Sequence, residues 1–171
     1  MGKKVFIGWI LFATLLSYEV SSQVTLANDN SMPVTINESK LPDPWAGGIN
    51  AAQYGRIDLN GDGTDDLVIY DRSTNLINTF IQVDGEFVYN PEYRIYLPKE
   101  LAGWILFKDY DCDGKRDLFA NSSGGMKVYK NITSDGSSPE WELIADPVLT
   151  LGSSGMINLQ VNITDVPAIE D

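Results

Sequence analysis

Nine residues, Asp58-Leu59-Asn60-Gly61-Asp62-Gly63-Thr64-Asp65-Asp66, put oxygen-bearing side chains at alternate places of a stretch that has to turn sharply. Oxygens spaced in this way cage a hard cation. Calcium takes roughly six to eight oxygen ligands at about 2.3–2.6 Å, with loop places one, three and five giving side-chain oxygens and place seven a backbone carbonyl. Those places are Asp58, Asn60, Asp62 and Thr64. Gly63 stands at the sixth place, where the chain bends back with a positive φ that a side chain disfavours.

The pattern returns 51 residues later as Asp109-Tyr110-Asp111-Cys112-Asp113-Gly114-Lys115-Arg116-Asp117. Neither copy has the Glu that closes a helix-loop-helix calcium loop at the twelfth place, which is held by Ile69 and Ala120. Closure therefore falls to the ninth place, Asp66 and Asp117. Turn chemistry alone also favours Asp, Asn and Gly, but it does not ask for carboxylates at the same alternate places twice. Packed so closely, these carboxylates repel one another unless a cation lies among them, which makes the expected role of Ca²⁺ structural. The expected affinity is that of extracellular modules, with Kd about 10⁻⁴–10⁻³ M.

The elements that must position these loops are strands. Asp66 is followed by Leu67-Val68-Ile69-Tyr70 and Asp117 by Leu118-Phe119-Ala120, short apolar, β-prone runs. Strands are expected over Tyr54–Ile57, Leu67–Tyr70, Leu76–Val83 and Glu86–Tyr89, the last two joined by the hairpin signal Asp84-Gly85. A second set runs through Trp104–Lys108, Leu118–Asn121, Met126–Lys130 and Trp141–Ile144, with a Gly/Ser/Pro-rich turn at Ser134–Pro139. A third begins at Met156–Val161. Four-stranded units recurring at this spacing predict an all-β fold, a partial β-propeller of two four-stranded blades plus the start of a third. Trp45, Trp104, Trp141, Tyr89 and Tyr129 are expected to fill the blade cores.

Composition narrows the function. With 171 residues, 43% of them hydrophobic, the chain can bury a core, and a net charge of −12 argues against nucleic acid or an anionic membrane surface as partner. Histidine is absent, which removes the usual general base and the Ser-His-Asp and Cys-His arrangements. The single cysteine, Cys112, rules out an internal disulfide and reads as a small space-filler. Glu38, Glu86, Glu92, Glu100, Glu140 and Glu142 are scattered and read as solvated charge, so no catalytic residue is assigned and the chain is not expected to be an enzyme.

Residues 1–22 have a basic start at Lys3-Lys4, an apolar run from Val5 to Leu16 and a small-residue end at Ser21-Ser22, the pattern of a cleavable secretory signal. The apolar run is short for a membrane span, and none is expected after cleavage. Residues 23–44 read as an extended lead-in. Asn131-Ile132-Thr133 and Asn162-Ile163-Thr164 match the glycosylation acceptor pattern.

The Asp-x-Asn-Gly-Asp-Gly-x-x-Asp-Leu pattern at 58–67 and its partner at 109–118 resemble the FG-GAP and VCBS repeats of integrin α-chain-type β-propellers and of large secreted bacterial proteins. Trp45-Ala46-Gly47-Gly48 and Ser122-Ser123-Gly124-Gly125 are similar to stretches flanking such loops in bacterial members. The resemblance covers residues 45–171. It implies one Ca²⁺ held by Asp58, Asn60, Asp62, Thr64 and Asp66 and a second held by Asp109, Asp111, Asp113, Lys115 and Asp117, with Thr64 and Lys115 acting through their carbonyls. It also implies a secreted or cell-surface module mediating adhesion or the binding of an extracellular protein or glycan. The alternative is an accessory portion of a larger secreted enzyme acting on polysaccharide or phospholipid. Family propellers have more blades than this chain has room for. Val166–Asp171 reads as the approach to a third loop, with Asp171 at its first place, so the chain is expected to be a piece of a longer protein.

Overall fold

A computed structural model describes Asp29 and residues 31–169. The expected signal (1–22), the start of the lead-in and Asp171 lie outside the described residues. Within the lead-in, β1 (Thr35–Ile36) and β2 (Ser39–Lys40) form a small hairpin. Among the described residues no helix is long and apolar enough to cross a membrane.

Two antiparallel meanders follow. The first sheet is β3 (Ala52–Ile57), β4 (Asp66–Asp71), β5 (Leu76–Val83) and β6 (Glu86–Tyr89), paired in chain order. A short 3-10 helix, Pro91–Tyr96, capped by the Asn90 side chain, leads to the second sheet. That sheet is β7 (Ile105–Lys108), β8 (Asp117–Ser122), β9 (Gly125–Asn131) and β10 (Trp141–Ala145), also in chain order. A last hairpin, β11 (Leu149–Gly152) with β12 (Gly155–Asn158), starts earlier than the Met156 expected for a third unit.

The period-2 alternation of each strand explains how the layers stack. Val68 and Tyr70 of β4 and Ile81 of β5 face the second sheet, where they meet Ile105 and Phe107 of β7 and Leu118 and Ala120 of β8 in one buried core. Residues between these on the second sheet, Trp104, Phe119, Met126 and Val128, point the other way and pack under Val148, Val161 and Ile169 of the C-terminal segment. The pairs Ile57–Asp66 and Lys108–Asp117 close corresponding hairpins, so Val68 corresponds to Phe119. The same face of each sheet thus covers the opposite face of the next, as successive blades of a propeller do. Sheets stacked in this way define a partial β-propeller architecture.

Close approach between the sheets depends on one absent side chain. A Cβ on Gly55 of β3 would lie 2.4 Å from the Phe107 ring of β7. Larger side chains are excluded there by contact, not by backbone conformation. Of the aromatics expected in the cores, Trp104 is fully buried and Tyr129 and Trp141 pack at the edge of the first core. Trp45 corrects that expectation. It is 44% exposed, with its indole N–H donating to the Met32 carbonyl, because it lies in the connection between β2 and β3 and not in either four-stranded sheet.

At the end of β4 away from the loops, Asp71 ties down the entry to β3. Its carboxylate accepts the Ser73 hydroxyl at 2.7 Å and the N–H groups of Ser73, Ala51 and Asn50. The Ser73 hydroxyl and N–H hold its carboxyl far below the ordinary carboxylate range, outweighing burial. Because the folded value lies below the unfolded one of about 3.9, the stabilisation is complete above that pH and is lost as pH falls through the folded value. Thermal melts of wild type and Asp71→Asn across about pH 2–7 check this. The wild type is the more stable at neutral pH, and the difference shrinks on acidification below about pH 4.

Candidate metal centre

Each acidic loop joins the first and second strands of its sheet, loop one between β3 and β4 and loop two between β7 and β8. Asp58 opens loop one and accepts the N–H groups of Gly61 at 2.7 Å and Gly63 at 2.8 Å. Asp109 does the same in loop two, accepting from Asp113 at 3.3 Å and Gly114 at 2.8 Å. Asp62 and Asp113, at the fifth place, accept the N–H groups of Thr64 and Lys115, two residues on. Gly63 and Gly114 have φ of +82° and +86°, as the sixth place requires.

Asp66 and Asp117 are fully buried at the starts of β4 and β8. One oxygen of Asp66 accepts the Leu59 N–H and the other the Gln82 N–H of β5, both at 2.8 Å. Asp117 accepts from Tyr110 at 2.6 Å and from Asn131 of β9 at 2.7 Å. Burial pushes both carboxyls above the ordinary range, against these hydrogen bonds, and the neighbouring loop carboxylates push the same way. Each carboxylate oxygen retains a lone pair that a cation could use.

The two loops differ in how closely their donors approach. In loop two, carboxylate oxygens of Asp109, Asp111 and Asp117 all lie within 4.8 Å of one another. Among the described residues loop one holds no such trio of carboxylates. Its third place is Asn60, whose amide nitrogen donates to Asp62 at 2.9 Å while its oxygen accepts the Asp62 N–H. The Asn60 amide, together with the Thr64 N–H, holds the Asp62 carboxyl below its ordinary range. Thr64 and Lys115 hold the seventh places, and the Lys115 ammonium donates to the Thr133 carbonyl at 2.6 Å. The side chains gathered in the loops are oxygen donors, mostly carboxylates, and Asp109, Asp111 and Asp117 of loop two are close enough that they could hold a metal ion.

Sequence reasoning overlooked several side chains. Lys130 of β9 places its ammonium on Asp111 and 3.6 Å from Asp113. Arg116 reaches across to the Arg56 carbonyl and to Asp65, joining the eighth places of the two loops. Cys112 is exposed at φ +60°, so the expectation that it fills space is corrected. Asn131 of the first glycosylation-like triplet is buried, its amide donating to the Arg116 carbonyl and its oxygen accepting from Thr133. The triplet is a turn device here, while Asn162 is exposed.

Stacked four-stranded antiparallel meanders with acidic loops at one end are a propeller-type repeat module. Residues 58–120, from the first residue of loop one to the β-strand after loop two, match the family model of the FG-GAP-like repeat, and the chain carries that repeat. No curated protein and no solved structure gives a significant match.

Loop one also touches the second sheet. A groove of about 450 Å³ lies between Asp58, Asp62 and Gly63 on one side and Thr133, Asp135 and Ser137 on the other. At its floor a Cβ on Gly61 would lie 2.4 Å from the Gly136 backbone, whereas one on Gly63 would meet nothing within 4 Å. Both glycines have positive φ, so the two substitutions separate strain from contact. Gly63→Ala is expected to cost about 1–2 kcal/mol, the penalty of a left-handed alanine. Gly61→Ala adds overpacking, for a total of about 2–5 kcal/mol. Urea denaturation of the two variants measures the difference.

Proposed function

We propose that the chain is a non-enzymatic, calcium-stiffened repeat module, secreted or displayed at the cell surface, whose propeller-type sheets present loops to an extracellular protein or glycan in adhesion or binding. The observation that carries the reading is the pair of loops with matching oxygen donors at the first, third, fifth and ninth places, each anchored by a buried aspartate. Asp58, Asn60, Asp62, Asp66 and the Thr64 carbonyl would hold one Ca²⁺, and Asp109, Asp111, Asp113, Asp117 and the Lys115 carbonyl a second. The ion supplies positive charge where the carboxylates crowd. The protein supplies the glycine bends, the backbone bonds that aim the carboxylates and the strands that fix both ends of each loop. FG-GAP-like repeats at residues 58–120 and the absence of histidine both support a binding role over catalysis.

Calcium removal is the direct test. With Kd of about 10⁻⁴–10⁻³ M, 10 mM Ca²⁺ stabilises the fold by roughly 1.4–2.7 kcal/mol per site. The melting temperature is therefore expected to drop by several degrees when EGTA replaces Ca²⁺. An unchanged melting temperature overturns the calcium reading. A glycan array and a pull-down from extracellular protein, both at millimolar Ca²⁺, test the binding role, and an absence of hits in both counts against it.

A further inference from the structure

The stacking of equivalent faces singles out one residue. The N–H of Gln82 binds Asp66 just as the N–H of Asn131 binds Asp117, so the residues one place earlier, Ile81 and Lys130, correspond. Ile81 is buried in the core between the sheets. Lys130 turns its ammonium back onto the acidic loop of its own sheet, against Asp111 and 3.6 Å from Asp113, and remains about one-third exposed. At the first, third, fifth and ninth places loop two also carries one carboxylate more than loop one, since Asp111 stands where loop one has Asn60. The ammonium neutralises the charge that this substitution adds.

We infer that Lys130 is a tethered counter-cation of loop two, occupying carboxylates that a divalent ion must share, so that Ca²⁺ enters this loop by displacing the ammonium from Asp111. The inference rests on the calcium reading of the loops and assigns the second site a built-in competitor. Among the described residues no cationic side chain is paired with Asp58, Asp62 or Asp66 of loop one, where the buried Ile81 stands at the corresponding position, and Arg116 pairs only with Asp65 at the eighth place. Two consequences follow for the chain's own residues. Loop two keeps its carboxylates together without metal, and its affinity for Ca²⁺ is set by Lys130 as well as by its oxygen donors.

The test uses the full chain with loop one disabled by Asp58→Asn and Asp62→Asn, with and without Lys130→Met. Titration with Ca²⁺ by calorimetry, and with Tb³⁺ by luminescence sensitised through Tyr110 at the second place of loop two, reads the remaining site. A unit charge removed at such short range is expected to tighten binding at least about tenfold, while Lys130→Arg, which keeps the charge, leaves the affinity near that of its parent. Equal affinity with Lys130 and with Met overturns the inference and leaves the calcium reading intact. Absence of Ca²⁺ and Tb³⁺ binding by the chain with both loops unaltered overturns the calcium reading itself, and the inference with it. Circular dichroism confirms that each variant is folded, and Lys130→Gln replaces Lys130→Met if the latter is not.

Discussion

The arrangement depends on a carboxylate placed where carboxylates are costly. Asp66 and Asp117 have no contact with solvent, yet each begins the second strand of its sheet and binds two backbone N–H groups, one from the loop and one from the third strand. A buried amide N–H without a partner is itself costly, so each aspartate satisfies two donors that the departure of the loop from the ladder leaves over. Three segments are joined at one side chain. Burial resists ionisation there, and the crowd of loop carboxylates adds to that resistance. The same residue that organises the loop therefore creates the demand for positive charge that the loop can meet.

Once the two aspartates fix the loop ends, the sheets repeat as units. Their equivalence extends beyond the acidic pattern, since the residues that follow the first aspartate, Leu59 and Tyr110, donate the same backbone bond. Their side chains have different fates. Leu59 is sealed between the sheets, whereas Tyr110 is about half exposed and leans on Phe119, on the face where Val148, Val161 and Ile169 of the C-terminal segment pack over Trp104, Met126 and Val128. The replacement of Ile81 by Lys130 follows the same division. Between the sheets a core residue is needed; on the partly open face a long cationic side chain is tolerated and finds the acidic loop.

Much of this was legible in the sequence. Alternating apolar residues bounded by Asp-Gly and Gly-rich turns gave β5 and β6 their observed bounds and the other strands of the two four-stranded sheets to within a residue or two, whereas the two-residue strands β1 and β2 and the strand β11 gave no such signal; the repeated acidic motif located both loops. The 3-10 helix also had a signal, Asn90 before Pro91, a capping residue followed by proline at the first helical place. It was overlooked because six residues are too few for a periodic pattern. Trp45 shows a limit of another kind, since an aromatic residue does not declare whether it will lie in a sheet or in a connection. Lys130 was hidden by spacing: Asp117 and Asn131 are 14 residues apart and Asp66 and Gln82 16, so simple superposition of the repeats misaligns the third strands. Only the hydrogen-bond register reveals which residues correspond.

The fourth place of each loop carries a further lesson about the repeat. Both residues there adopt a left-handed backbone, Gly61 at φ +77° and Cys112 at φ +60°. Gly61 lies against the turn at Gly136 and Ser137, leaving no volume for any substituent, while Cys112 stands in the open. Two loops with one blueprint thus differ in their freedom to diversify. The tip of the first is locked by its neighbour, and the tip of the second can carry a thiol, and so a chemical label or a new contact, without disturbing the packing beneath it.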